Sequence, residues 1–236
     1  MFRLLLAAAL VIILPSFVLA APCTPNSMSN YISLGAGGCQ IGSSTFFSFE
    51  GFPSFSGGTS VSPTLVLVTP TDSAIGPRLD FSLSGNAGSN TLLGIAIGYS
   101  IAGSPLSGAA LTLTNAAATG NGVVTVVEDI CRGGTFASDP SNCSTPAPAS
   151  LVVAQDSSGP TGPDSRTFTA NSFLDVFVDI AIDGGPSGTA TLGTPGGPAG
   201  TVTNQFIQVA VPEPESISLV GTGLLALWAM RRRIRL

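Results

Sequence analysis

Short segments in which apolar and polar residues alternate restrict the fold of this chain more than any other feature. Residues 79–83 read Leu-Asp-Phe-Ser-Leu, the pattern of a strand with one face on a core and the other in water. Similar β-branched or aromatic segments, separated by Gly, Pro, Asn and Asp, lie at 45–49, 65–68, 92–101, 110–114, 123–130, 151–153, 166–168, 174–182, 189–192 and 202–209. Residues 21–210 contain no sustained helical spacing of apolar residues. We therefore predict an all-β fold, an antiparallel β-sandwich of the jelly-roll or immunoglobulin-like type.

Composition excludes several classes of function. The chain has no His, and all eight of its basic residues are Arg. His-based triads, His metal sites, Schiff-base lysines and phosphate-binding lysines are therefore absent. Residues 21–210 carry eleven acidic residues and three arginines, a formal net charge of −8, so nucleic acid is not an expected partner. We predict no catalytic residue, no cofactor and no enzymatic activity.

The first 20 residues have the organisation of a secretory signal peptide. A short positive start, Met-Phe-Arg, precedes an apolar run at residues 4–14, and Pro15 ends that run. Small residues before Ala21 favour cleavage after Ala20. An uncleaved anchor is the alternative, but the apolar run is short for a membrane span. A lipoprotein signal does not fit, because Pro22 stands where the acylated Cys would have to be.

Four cysteines follow the predicted cleavage site, namely Cys23, Cys39, Cys131 and Cys143. An even number of cysteines in an exported chain predicts two disulfides, for which three pairings are possible. The local pairs, 23 with 39 and 131 with 143, are favoured because each pair brackets glycine-rich turns. A four-cysteine zinc site is the chemical alternative. Such sites use closely spaced pairs of cysteines, and the intervals between the cysteines of this chain are longer. We predict no metal site.

Three aspartates lie on one face of the predicted strand 174–182 or directly after it. Asp175, Asp179 and Asp183 are each four residues apart, which is about 13 Å along a strand. This spacing is too wide for one calcium ion, whose ligands lie within about 2.6 Å of it. A solvated strand face is therefore the favoured interpretation, although Phe177 on the same face indicates that the face is partly covered.

Glu128 and Asp129 form a second acidic group, next to Cys131. They could hold a cation or pair with Arg132, and a local surface pair is the favoured interpretation. Glu128 and Glu50 are the only glutamates between residues 21 and 210. Paired carboxylates for glycoside hydrolysis are therefore poorly supported.

Threonines two residues apart recur in the predicted strands. The four pairs are Thr112 with Thr114, Thr167 with Thr169, Thr189 with Thr191, and Thr201 with Thr203. A flat, regular array of such threonines on neighbouring strands would favour ice binding, whereas threonine is also simply common in strands.

The C-terminal 26 residues divide into three parts. The first is Val211, Pro212, Glu213 and Pro214; the second is an uncharged apolar segment at 217–230; the third is the basic cluster Arg231, Arg232, Arg233 and Arg235. As a helix the apolar segment would be about 21 Å long, a thin span of a hydrocarbon core of about 30 Å. The arginines would hold the C-terminus in the cytoplasm, so the rest of the chain would lie outside.

This tail resembles the PEP-CTERM protein-sorting signal of Gram-negative bacteria, in which a Val-Pro-Glu-Pro motif precedes an apolar helix and an Arg cluster. The resemblance implies a membrane protease of the exosortase type as a transient partner and removal of the tail. It further implies delivery to the envelope or the extracellular matrix, where such proteins accompany exopolysaccharide and biofilm. Residues 31–49 also resemble the N-terminal block of other PEP-CTERM ectodomains, a resemblance that carries no chemistry.

Together these features predict a signal peptide (1–20), a β-sandwich ectodomain (21–210) and a sorting signal (211–236). The protein would be anchored in the inner membrane by its C-terminal helix before processing, and would then reach the envelope or the medium. We expect a structural protein associated with exopolysaccharide or biofilm. The alternative is a binding module of the same fold that is specific for carbohydrate or ice.

Overall fold

The structure is a computed structural model that describes residues 20–54, 56–136, 142–143, 148–194 and 196–209. Strands dominate these residues. They are β1 (Asn26–Ser27), β2 (Cys39–Ile41), β3 (Ser44–Pro53), β4 (Thr59–Ser60), β5 (Leu67–Ser73), β6 (Gly76–Leu83), β7 (Gly85–Ala87), β8 (Leu92–Thr114), β9 (Ala116–Thr119), β10 (Val123–Arg132), β11 (Ala149–Asp156), β12 (Gly159–Pro160), β13 (Asp164–Asp183), β14 (Thr189–Leu192) and β15 (Gly200–Gln208). One helix, α1 (Met28–Ser33), and two 3-10 turns, Gly35–Gly37 and Pro63–Leu65, complete the described elements.

The two longest strands, β8 and β13, pair antiparallel with each other and belong to both layers of the molecule. In the first layer, residues 95–103 of β8 pair with β3. Residues 171–183 of β13 pair with β8 on one side, and residues 174–183 pair with β10 on the other. Strand β11 continues this layer beyond β10. In the second layer, residues 106–114 of β8 pair with β15, and β6, β5 and β1 follow in that order. A separate small sheet has the order β7-β14-β9.

The two layers pack face to face around Tyr99 of β8. Its ring centroid lies 5.5 Å from that of Phe49 on β3 in the first layer. It lies 6.0 Å from Phe81 on β6 and 6.4 Å from Phe206 on β15 in the second layer. All four side chains are buried. Burial of the inner face of each layer against the other defines a β-sandwich, so the predicted fold class is confirmed.

Two pairs of predicted strands are in fact single long strands. Segments 92–101 and 110–114 both belong to β8, and segments 166–168 and 174–182 both belong to β13. Gly103 bends β8 with a φ of 140°, and β13 changes register between Thr167 and Phe173. Bends of this kind let one strand pass from one layer to the other, whereas the sequence marks them only as interruptions of the alternating pattern.

The helix α1 was not predicted from the sequence. The Oγ of Ser27 caps its first turn by accepting a hydrogen bond from the N–H of Asn30 at 3.4 Å. The helix buries Met28 and Tyr31, and the ring of Tyr31 meets Phe49 edge-on at 4.9 Å. Six residues are too few to establish a helical period in the sequence.

Two disulfides are present, and they join the local pairs that the sequence favours. Cys23 is bonded to Cys39, with a Cα–Cα distance of 4.9 Å, and ties the N-terminal segment to β2. Cys131, near the end of β10, is bonded to Cys143, with a Cα–Cα distance of 5.5 Å. The prediction of disulfide bonds is therefore confirmed.

Both predicted terminal segments lie outside the described residues, apart from Ala20 itself. Within the part of the chain that the structure describes, no helix has the length and apolar character needed to cross a membrane.

Candidate binding face

The outer side of the second layer is a sheet face made largely of Ser and Thr. We call it the hydroxyl face. Its members are Thr69, Thr71 and Ser73 on β5, Arg78, Asp80 and Ser82 on β6, Thr201, Thr203 and Gln205 on β15, Thr112 and Thr114 on β8, and Ser165 and Thr167 on β13. Alternation produces the face: on β6 and β15 the residues between these members are buried in the core, whereas Asp72 of β5 and Arg166 of β13 are exposed.

Strand register places the hydroxyl groups in rows across the sheet. Thr201 is opposite both Ser82 of β6 and Thr114 of β8, and Thr203 is opposite both Asp80 and Thr112. Neighbouring strands are about 4.8 Å apart, and members of one strand repeat every 6.7 Å or so. The Ser and Thr members of the face therefore form rows of hydroxyl groups, each of which can donate and accept a hydrogen bond.

An ion pair lies in the middle of these rows. Arg78 Nη2 lies 2.7 Å from Asp80 Oδ2, and the Oγ of Thr203 donates to the other oxygen of Asp80 at 2.6 Å. Ser82 and Thr201 share a hydrogen bond of 3.1 Å between their hydroxyl oxygens. These contacts hold the central side chains in fixed positions, while the Arg78 side chain is still 39% exposed.

Only two of the four threonine pairs named above lie side by side. Thr112 and Thr114 are in register with Thr203 and Thr201 on the hydroxyl face. The pair at 167 and 169 begins two rows away on β13, and the pair at 189 and 191 lies on the small sheet. With a charged pair in its centre, the face is a mixed polar surface and not a uniform threonine lattice.

The aspartates of β13 lie on the outer side of the first layer, which is partly covered. Asp175 accepts a hydrogen bond from the Oγ of Ser100 at 2.8 Å and from the backbone N–H of Phe136 at 2.9 Å. The rings of Phe52 and Phe136 lie 6.2 Å and 6.4 Å from Phe177, which is only 7% exposed. The coverage indicated by Phe177 is therefore present.

The other two aspartates of this strand also have hydrogen-bond partners. The Oγ of Ser56 donates to Asp179 at 3.1 Å, and the N–H of Gly185 donates to Asp183 at 2.7 Å. Among the described residues, no group of three or more His, Cys, Asp or Glu side chains could hold a metal ion. Asp175 and Asp179 therefore each bind a residue outside the named strands, Phe136 and Ser56, whereas Asp183 binds the turn that follows its own strand.

Glu128 is buried in the core, so the predicted surface pair is wrong for this residue. It is 0% exposed, and neither of its carboxylate oxygens has a hydrogen-bond partner among the described residues. Burial, and then the charge of Asp129, raise the pKa of Glu128 from 4.5 to about 8. The alternating pattern contained the signal, because Glu128 is in phase with the buried residues Val126 and Ile130.

A second buried polar contact joins the two layers. Asn204 of β15 donates from Nδ2 to the hydroxyl oxygen of Tyr99 at 2.9 Å, and both side chains are buried. Burial, followed by the charge of Glu128, raises the pKa of Tyr99 well above its ordinary value, while the hydrogen bond from Asn204 lowers it. The Oδ1 of Asn204 has no hydrogen-bond partner among the described residues. Sequence patterning indicates that position 204 faces inward, but not that it meets Tyr99.

Asp129, unlike its neighbour, lies on the outer side of β10. It accepts a hydrogen bond from the Oγ of Ser150 on β11. Burial raises the pKa of Asp129, and that hydrogen bond opposes the increase. The guanidinium of Arg132 lies 5.9 Å from the ring centroid of Phe168.

Fold and surface together define a disulfide-bonded β-sandwich with a hydroxyl-rich outer face. The chain also carries the PEP-CTERM protein-sorting motif, which matches residues 210–233. This match includes Val211 to Pro214 and Arg231 to Arg233, and ends before Arg235. The motif implies an exported protein that an exosortase sorts and that has a C-terminal membrane anchor before processing.

Comparison with solved structures finds TmCBM61 in complex with β-1,4-galactotriose. It has 7% sequence identity and a TM-score of 0.32, and the alignment covers 68% of this chain and 88% of that chain. At that TM-score the likeness carries no weight for the ligand of this chain. No curated protein matches the sequence.

Proposed function

We propose that this protein is a non-enzymatic component of the cell envelope or extracellular matrix whose hydroxyl face binds neutral polysaccharide. The observation that carries the proposal is the hydroxyl face itself. Its Ser and Thr hydroxyls stand in register on neighbouring strands around Arg78 and Asp80. Hydroxyl, amide and guanidinium groups are the donors and acceptors that match the hydroxyls of a sugar polymer, directly or through ordered water.

Charge favours a neutral polymer over an anionic one. Residues 21–210 have a formal net charge of −8, which repels polyanions at low salt. Within the hydroxyl face, the carboxylate of Asp80 is already paired with Arg78 and hydrogen-bonded by Thr203. The face is therefore close to electrically neutral.

A polymer of repeating sugar units matches the repeating rows of hydroxyl groups on this face. Each hydroxyl contact with a sugar contributes little free energy, because the same groups also hydrogen-bond to water. A polymer that engages several rows at once gains affinity through its multivalency. The hydroxyl face has no aromatic member to stack on a sugar ring, so the proposal predicts stronger retention of long chains than of short oligosaccharides.

Arrangement of the carboxylates supports a binding role over hydrolysis. Glycoside hydrolysis needs two carboxyl groups about 5 to 9.5 Å apart on either side of a bond. Asp80 is the only acidic member of the hydroxyl face, and its oxygens are occupied by Arg78 and Thr203. Glu128, whose raised pKa would suit a general acid, is enclosed in the core.

Maturation completes the proposal. We propose that the exosortase cuts the chain near Pro212–Pro214 after export. One peptide bond is broken: the acyl carbon of the body passes to water or to an amine, and the released tail keeps the new amino group. The body would then leave the inner membrane for the envelope or the medium, where exopolysaccharide is its proposed partner.

Binding to polysaccharide tests this function. The variant Thr112→Val/Thr114→Val/Thr201→Val removes three hydroxyls from the hydroxyl face without changing side-chain shape. The matched control, Thr119→Val/Thr189→Val/Thr191→Val, makes the same changes on the small sheet. We expect the first variant to bind a neutral polysaccharide at least about tenfold more weakly in co-sedimentation, and the control to bind as the wild type does. Equal binding by both variants, at equal melting temperature, would contradict the proposal.

A further inference from the structure

Four parts of the chain meet at the end of the sandwich where β15 finishes. We call this surface the exit end; it comprises residues 42–43, 72–76, 103–105 and 208–209. Gln208 donates from Nε2 to the Oγ of Ser43 at 3.0 Å and from its backbone N–H to the carbonyl of Ile75 at 2.9 Å. The N–H of Val209 donates to the carbonyl of Pro105 at 3.0 Å. The chain is therefore fixed to the body up to Val209.

The exit end differs in charge from the rest of the body. Asp72 is its only charged residue, whereas residues 21–210 together carry a net charge of −8. It also exposes apolar side chains, since Ile75 is 57% exposed and Val209 is 37% exposed. A nearly neutral, partly apolar surface on an acidic protein is suited to contact with another protein near a membrane.

The distance from this surface to the sorting motif is short. Pro212 to Pro214 begin three residues and end five residues after Val209. A fully extended chain of that length spans at most about 10 to 18 Å. A protease that grips the motif must enclose several residues on each side of the bond that it cuts. Its surface therefore comes against the exit end of the folded body.

We propose that the exit end is a docking surface for the membrane-embedded sorting protease, which contacts it while cutting the tail. The inference rests on the proposed cleavage near Pro212–Pro214. Substrate selection then has two parts. The protease binds the motif in the chain, and the surface around its active site contacts two places on the body. These are Val209 and the turn between β5 and β6 that carries Ile75. The apolar side chains contribute to this contact, and the absence of other carboxylates keeps the acidic body from opposing it.

The rate of processing tests this docking. The full-length protein is produced with an exosortase in a Gram-negative host, and intact mass follows conversion of the unprocessed form. Ile75→Asp places a charge on the exit end. The control Leu65→Asp places the same charge in the 3-10 turn that precedes β5, on a side chain that is 66% exposed. We expect processing of the first variant to be about fivefold slower than that of the control, which corresponds to about 1 kcal/mol at an interface residue.

A spacer separates docking from effects on folding. Twelve Gly and Ser residues inserted after Val209 move the motif away from the body, so the difference between Ile75→Asp and Leu65→Asp should disappear. Equal rates for the two variants without the spacer would overturn the docking surface while leaving cleavage intact. A difference that persists with the spacer would assign the effect to folding or export and would also overturn it. Failure of the wild type to be processed at all would overturn the proposed cleavage, and this inference with it.

Discussion

Buried Glu128 makes the stability of the sandwich depend on pH. Its pKa is about 8 in the folded chain and near 4.5 when exposed, so between these values the folded state binds a proton that the unfolded state releases. The free energy of unfolding therefore falls as pH rises from about 4.5 through about 8, by up to about 1.4 kcal/mol per pH unit. We expect Glu128→Gln to flatten this dependence in urea denaturation at pH 5, 6.5 and 8.

The control for this prediction is Glu50→Gln. Glu50 is exposed at the outer side of β3, so this change removes the same charge without a buried carboxyl group. It should keep the slope of the wild type. A Glu128→Gln protein that retains the wild-type slope would show that another group titrates in this range.

The hydrogen bond between Tyr99 and Asn204 stabilises the contact of the two layers. Tyr99→Phe leaves a buried amide without its partner, and we expect it to lower the free energy of unfolding by about 1 to 3 kcal/mol. Asn204→Leu combined with Tyr99→Phe removes both polar groups and should recover part of that loss. A double-mutant cycle from denaturant unfolding measures the coupling, and strictly additive single effects would contradict it.

At the scale of elements, the small sheet is held to the first layer by close backbone contact at Gly184, just after β13. A Cβ at Gly184 would lie 1.8 Å from the carbonyl oxygen of Gly88, whereas a Cβ at Gly88 itself would meet no atom within 4 Å. We expect Gly184→Ala to destabilise the protein by about 3 kcal/mol, because backbone must shift to admit the methyl group. Gly88→Ala should change stability by less than about 0.5 kcal/mol. Thermal unfolding of both variants measures the difference, and similar melting temperatures would refute the close contact.

At the scale of the whole molecule, processing should remove the only Trp of the chain. Trp228 lies in the apolar segment of the tail, together with four of the eight arginines at its end. Cleavage near Pro212–Pro214 should release a protein without tryptophan fluorescence and with an intact mass that ends between residues 211 and 215. A native protein whose mass extends from Ala21 to Leu236 would instead be a retained, anchored form.

Local patterns in the sequence were sufficient for the all-β class and for the sorting motif, but not for α1 or for the full length of β8 and β13. The all-β class follows from the two-residue period, which depends only on adjacent side chains pointing to opposite sides of a strand. The sorting motif is contiguous, so it is readable without a fold. The same pattern also places Glu128 on the buried face of its strand. This was overlooked because an acidic residue is expected at the surface.

Tertiary structure alone decided which strands are neighbours. The hydroxyl face draws on five strands from residue 69 to residue 205, and Tyr99 meets Asn204 across 105 positions. Such pairings depend on burying the inner faces of both layers together, a free energy that belongs to the assembled sandwich and to no single segment. The same free energy explains why separate predicted segments form the single strands β8 and β13. A bent strand is stabilised only when each of its halves pairs within its own layer.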